Sequence, residues 1–216
     1  LSMSELLATA DMEPIARAPE PHEDQEVLSQ PGPSRPSHVW VGAGLAREGR
    51  PSLLAPSLQT GLALNVAGLP LALVLELEAQ RGEHDVAAGR VTLWTTSASM
   101  GPAAQLRVGP LDLSLGVGAR LGYARLIGEA DQAPVTGHVV SGLWWGPTLG
   151  ASATWRLGAR VGVRAGVDLT WIARAVRGTD STSATAYELE GLMVQATLGA
   201  RFSLPTLRIG RRQPSL

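Results

Sequence analysis

The sequence predicts an all-β protein: an eight-stranded antiparallel up-and-down transmembrane β-barrel with a disordered N-terminal extension. Three observations predict it. Apolar residues recur with a period of two through most of the chain from His38 onward. The alternating runs are even in number, and their connections alternate between short and long. The apolar face of each run is the more uniform one, while the opposite face carries mostly Gly, Ser, Thr and Ala with isolated charges.

Residues 1–37 are different material. They hold seven acids and two Arg, and the stretch RAPEPHEDQEVLSQPGPSRPS has few side chains able to build a core. Pro, acid and Ser in that proportion predict an extended linker. MSELLATAD before it has the composition of a helical turn or two. Residues 38–204 are the expected barrel, and 205–216 form a tail with three Arg and no acid. The chain has 216 residues and a net charge of −1, with no overall cationic surface to draw nucleic acid. It lacks Cys, which excludes disulfides and thiolate metal sites. It begins with Leu and shows no charged-then-apolar leader, as a mature protein or a fragment would.

Strands are expected at about 38–47, 55–67, 70–81, 98–109, 111–126, 139–156, 158–175 and 188–204. The second and third replace a tempting helix. Residues 58–75 are free of charge and long enough to span a bilayer, but they contain Gly61, Gly68 and Pro70, and their apolar phase changes across VAGLP. The fifth is the clearest. In LDLSLGVGARLGYARL the odd positions from Leu111 to Tyr123 are apolar and the even ones are small or polar. Thirteen such residues, at ~3.3 Å each and tilted ~40°, climb roughly 33 Å, enough for an apolar band and both interfaces. In the seventh strand Ala159 to Trp171 oppose Arg160, Arg164 and Asp168; in the eighth Leu192 to Phe202 oppose Gln195, Thr197 and Arg201. AGLP, GPL and RLG are the short connections, whereas EGRPSLL, GEHDVAAGRVTLWTT, IGEADQAPVTGH and VRGTDSTSATAYE are expected as long polar loops.

The two faces then divide the candidate residues. Small side chains suit a narrow eight-stranded interior, and the uniform apolar face suits lipid. Tyr123, Trp145 and Trp171 near the long-loop ends, with Trp155 and Phe202 beside the short turns, are expected as two interfacial aromatic girdles. Glu76, Glu78, Arg107, Asp112 and Arg120 are expected to point inward, as are Arg160, Arg164, Asp168, Arg174 and Arg201. Buried charges must pair, so these ten residues are expected to form a salt-bridge network that fills a polar lumen and leaves no wide pore.

Chemistry beyond this is sparse. His138 and Ser141 are three apart, on opposite faces of one strand, which is poor geometry for a base and its nucleophile. His84 and Asp85 fall in a polar stretch. No phosphate-cradling Gly loop or metal-spaced His/Asp cluster is present, and the expectation is no enzyme, no cofactor and no metal.

One motif is sharper. In TLGARFSL, Thr197, Gly199, Phe202 and Leu204 occupy the slots polar–any–Gly–any–any–aromatic–any–apolar, and Phe202 is the chain's only Phe. With the architecture of 38–204, this resembles the small outer-membrane β-barrel family of Gram-negative bacteria, the OmpA/OmpX-like barrels. The resemblance implies that this last strand is an insertion signal read by the barrel-assembly machinery. It also implies that both termini are periplasmic and that outer-membrane lipid surrounds the barrel. The family's chains often end at the signal, whereas PTLRIGRRQPSL follows it here. The function expected is a structural or anchoring barrel, with the N-terminal linker leading to a periplasmic partner or an upstream domain. The alternatives are a surface-binding barrel using its long loops, and a soluble lipocalin-like carrier with the apolar face turned inward.

Overall fold

The computed structural model describes residues 35–205, apart from 51, 67, 87–88, 131–137 and 180–184. The expected helical turns, nearly all of the acidic linker and residues 206–216 of the basic tail lie outside the described residues. What is described is eight strands: β1 (His38–Glu48), β2 (Leu53–Asn65), β3 (Leu71–Val86), β4 (Gly89–Val108), β5 (Leu111–Ala130), β6 (Val139–Arg156), β7 (Val161–Thr179) and β8 (Thr185–Ser203). Each pairs antiparallel with the next, and β8 closes on β1. Closure leaves no edge to be protected.

The register sets the shape. His38 pairs with Ala63 and with Ser203, yet Arg47 at the other end of β1 pairs with Val194. Following paired residues once around the barrel from His38 leads to Met193, beside Glu48. That stagger of about ten residues tilts the strands, while the small number of strands keeps the interior narrow. At one end, here the short-turn end, the hairpins close through 66–70, 109–110 and 157–160. Gly109 turns between β4 and β5 at φ 56°, a conformation that favours glycine.

The residues expected to avoid a single apolar helix do so, folding as β2, a tight turn and β3. Other boundaries need correction. GEHDVAAGRVTLWTT is not a loop: β3 runs on to Val86 and β4 begins at Gly89, so only two residues separate them. β5 and β8 also extend further than expected. The reason is visible in the pairing. Arg81–Glu83 (2.8 Å), Arg90–Asp85 (3.0 Å) and Arg90–Glu83 (3.8 Å) link polar side chains along this ladder. Charge alone marked these residues as loop, but a charged ladder is a stable strand pair once it projects into water. The expected contrast between short and long connections is therefore largely a contrast in how far strands continue. In the other direction, β7 starts at Val161, and Arg160 belongs to the preceding turn.

The apolar face points outward. Val41, Leu45, Leu58, Leu77, Met100, Leu115, Leu121 and Leu198 are each at least half exposed, and they lie on strands around the circumference. A contiguous apolar surface of this extent needs a non-aqueous environment. This orientation overturns the soluble-carrier alternative, which required the apolar face to line a cavity.

Candidate functional site

The lumen has two unlike halves. Toward the short-turn end it is polar. The sequence places Glu76 and Glu78 on the inward face of β3, Arg120 on that of β5, and Arg164 and Asp168 on that of β7, and all five are buried. Arg120, 1% exposed, bonds through Nη1 to Glu78 Oε2 at 2.6 Å and to Gln195 Oε1 at 3.1 Å, and its Nη2 lies 3.7 Å from Glu76 Oε2. Ser99 donates to Glu76 at 3.1 Å, and Gln80 donates to Glu78 at 2.6 Å. Arg164 reaches Glu76 Oε1 at 3.5 Å while its guanidinium lies 4.6 Å from the centre of the Trp40 ring. Gln59 donates to Asp168 at 3.4 Å, and Gln195 Nε2 donates to Ser57 at 3.2 Å. Each charge thus meets an opposite charge or a polar side chain, as a desolvated lumen demands.

A second cluster sits at the short-turn mouth. Asp112 accepts from Arg107 Nε at 2.7 Å and from Arg201 Nη1 at 2.9 Å, and Arg156 Nε lies 3.9 Å away. Arg35, just before β1, donates to the Gln105 carbonyl at 2.7 Å. Between the two clusters is a polar cavity of about 70 Å³, lined by His38, Trp40 and Arg164 among others. That is room for roughly five waters at ~15 Å³ each and for little else.

The other half is apolar. Leu53, Leu93, Leu126, Trp144, Ile172, Tyr187, Leu189 and Met193 pack together inside the barrel as one buried cluster with Val91, Ala124 and Val176. The expected polar lumen is corrected here: it is polar only toward the short-turn end. The alternation predicts apolar-out throughout, but near the far end both faces of several strands are apolar. Glu48, buried at 1% exposure, has no hydrogen-bond partner for either carboxylate oxygen among the described residues. Tyr187 Oη donates to the Glu48 backbone carbonyl at 3.3 Å.

Two of the expected network residues are elsewhere. Arg160 is exposed in the β6–β7 turn. Arg174 is exposed in β7, where the register slips between Ile172 and Val176 and breaks the alternation used to assign it. Arg156, missed in the sequence, stands at the mouth. Alternation puts Gln195 on the inward face, but the sequence does not single out the Gln and Ser members of the network, because a neutral polar side chain has no pattern that marks it as a partner of a charge. Tyr123, Trp145, Trp155, Trp171 and Phe202 all face outward and are exposed. Trp94 joins them on β4, and its omission follows from placing that stretch in a loop. Trp40 and Trp144, by contrast, are buried in the lumen. Of the last-strand residues, Thr197 faces inward, Phe202 outward, and Leu204 follows the end of β8 with its N–H bonded to the Ser37 carbonyl.

Ser141 lies on the outward face of β6 opposite Arg125, and His138 precedes that strand. His84 and Asp85 stand near the tip of β3 on alternate faces. Among the described residues no group of three His, Asp or Glu side chains is placed to hold a metal ion.

A closed eight-stranded barrel with an apolar outer wall and a filled lumen is the fold of the small outer-membrane barrels. Solved structures that share it include a major outer membrane protein from Thermus thermophilus, 13% identical, with a TM-score of 0.56 over 78% of this chain and 99% of that one. Ail, the attachment invasion locus protein of Yersinia pestis, is 11% identical, with a TM-score of 0.53 over 80% of this chain and 100% of that one. Neisserial surface protein A is 15% identical, with a TM-score of 0.50 over 78% and 97%. At these identities the likeness is one of fold. No protein-family model matches the chain, and no curated protein matches it in sequence.

Proposed function

We propose that this chain is an integral outer-membrane barrel that acts as a structural anchor, with both termini on the periplasmic side. The observation that carries the reading is the pairing of an apolar outer wall with a lumen filled twice over, by ion pairs at one end and by packed side chains at the other. A wall of this kind holds the chain in lipid, and an interior of this kind passes no solute of appreciable size. The short turns suit the periplasmic side, and the extended hairpins suit the exterior. The N-terminal linker then leads to a periplasmic partner or an upstream domain, and β8 carries the signal for the barrel-assembly machinery.

The membrane part of the reading is tested by gel mobility. An unheated sample from the membrane fraction should migrate differently from a boiled one, and an unshifted band in the soluble fraction would overturn it. Orientation has its own test, made simple by the absence of native Cys. On intact cells an impermeant maleimide should label Asp85→Cys, on the extended hairpin, and leave Leu157→Cys, in a short turn, unlabelled. The reverse pattern would invert the proposed topology. The insertion signal predicts that Phe202→Ser slows assembly in vivo.

A second reading, a surface-attachment barrel, is favoured by the way β3–β4 and β7–β8 carry charged residues past the apolar band. One of the proteins sharing the fold is described as an attachment invasion protein. Loss of cell or matrix binding on shortening those hairpins, with the heat shift intact, would favour it.

A further inference from the structure

The outer wall is not evenly convex. Across β3, β4, β5 and β6, the outward residues Arg81, Trp94, Arg125 and Ser141 stand directly opposite one another in a single cross-strand row. Arg81 lies over the Trp94 ring, 5.0 Å from its centre. Glu83 holds Arg81 at 2.8 Å, but Arg125 is exposed and has no ion-pair partner among the described residues. Trp94, Thr96, Tyr123 and Arg125 border a notch of about 280 Å³.

Four residues further along the same strands, ~13 Å toward the short-turn end, the wall is hollow. Thr60, Leu77, Ala98, Leu121 and Trp145 form one row, and Val39, Leu62, Leu75, Met100 and Ala119 the next. Thr60, Ala98 and Ala119 are small between larger neighbours. The result is an apolar depression of about 680 Å³ that faces lipid.

We propose that these two hollows form one lipid site, taking a phosphate-bearing lipid of the outer leaflet, with its phosphate at Arg125 and Arg81 and an acyl chain in the depression floored by Ala98 and Ala119. The proposal rests on the outer-membrane reading above, with the extended hairpins outward. Three features select this occupant. The unpaired guanidinium of Arg125 calls for an anion. Trp94 and Tyr123 are amphipathic side chains of the kind that settle at headgroup depth. The depression is apolar, continues along the same strands, and lies where a chain attached to that headgroup would run. A second barrel copy would leave the Arg row facing another cationic row or apolar wall, whereas a lipid phosphate answers it.

Native mass spectrometry of the full chain in detergent tests this, with bisphosphorylated lipid A as probe and its dephosphorylated form as control. The wild type should retain the phosphorylated lipid in preference to the control. Arg125→Gln should weaken retention on the order of fivefold, the effect of one cationic contact with an anionic lipid. Ala98→Leu with Ala119→Leu should weaken retention of both lipids by filling the depression, and neither change touches the lumen. Equal retention of the two lipids, or unchanged retention by both variants, would overturn the site. Heat-dependent mobility is measured on the same samples. A shift without lipid preference rejects the lipid site alone, while loss of the shift in the wild type rejects the barrel reading with it. Should Arg125→Gln fail to fold, Arg81→Gln carries the same expectation.

Discussion

Two inward tryptophans show how single residues shape this interior. Trp40 lies over Gly61 and Trp144 over Gly122, so closely that a Cβ on either glycine would fall 2.1 Å or 2.3 Å from an indole atom. These two glycines are therefore seats for larger neighbours as well as small residues that fit a tight space. Gly122→Ala should destabilise the barrel by about 1–3 kcal/mol, the usual cost of overpacking a filled core. Trp144→Leu should recover part of that loss when combined with it. Urea unfolding in micelles reads both. The ion pair behaves differently. Arg120→Met should cost about 3–5 kcal/mol because it leaves Glu78 buried without its cation and Glu76 with Arg164 alone. Adding Glu78→Gln should restore stability relative to that single variant, and a double variant less stable than Arg120→Met would contradict the network. Neither pair was legible in the sequence. Alternation says which face a residue occupies, but not which neighbour the register sets beside each Trp, nor what Arg120 meets across the lumen 42 or 75 residues away along the chain.

Among the strands, the sequence reading located all eight and most of their boundaries at the short-turn end. It lost them at the other end, where β3 and β4 continue as a charged ladder. The exposed ion pairs there contribute little, since solvent screens them. Replacing Asp85–Arg90 with Asn-Gly closes the hairpin between His84 and Val91, which already face each other. This should change unfolding free energy by no more than about 1 kcal/mol and leave the heat-dependent mobility shift intact. A larger loss would mean that the projecting ladder supports the barrel below it. β7 teaches the converse lesson. Its register slip after Ile172 turned Arg174 to the surface, and a strict period of two cannot anticipate a bulge.

At the largest scale, the described residues within 35–205 form a barrel closed from within. The apolar cluster at the far end excludes water, while the polar half opens toward the short turns. In planar bilayers the wild type should conduct weakly or not at all, and Trp144→Ala with Leu93→Ala should raise conductance by removing two of the largest side chains from the closure. Unaltered closure in that variant would place the barrier in the ion pairs instead. Strand count, antiparallel order and the split of each strand into an apolar and a small or polar face follow from the linear sequence, because a period of two interrupted by turns sets them. The outward turn of the apolar face, against the inward-facing alternative, is decided by the closed barrel. The division of the lumen into polar and apolar halves, the choice of which charges meet, and the hollows of the outer wall emerge only when the barrel closes. Those features depend on register and stagger, which bring residues from distant strands to the same height.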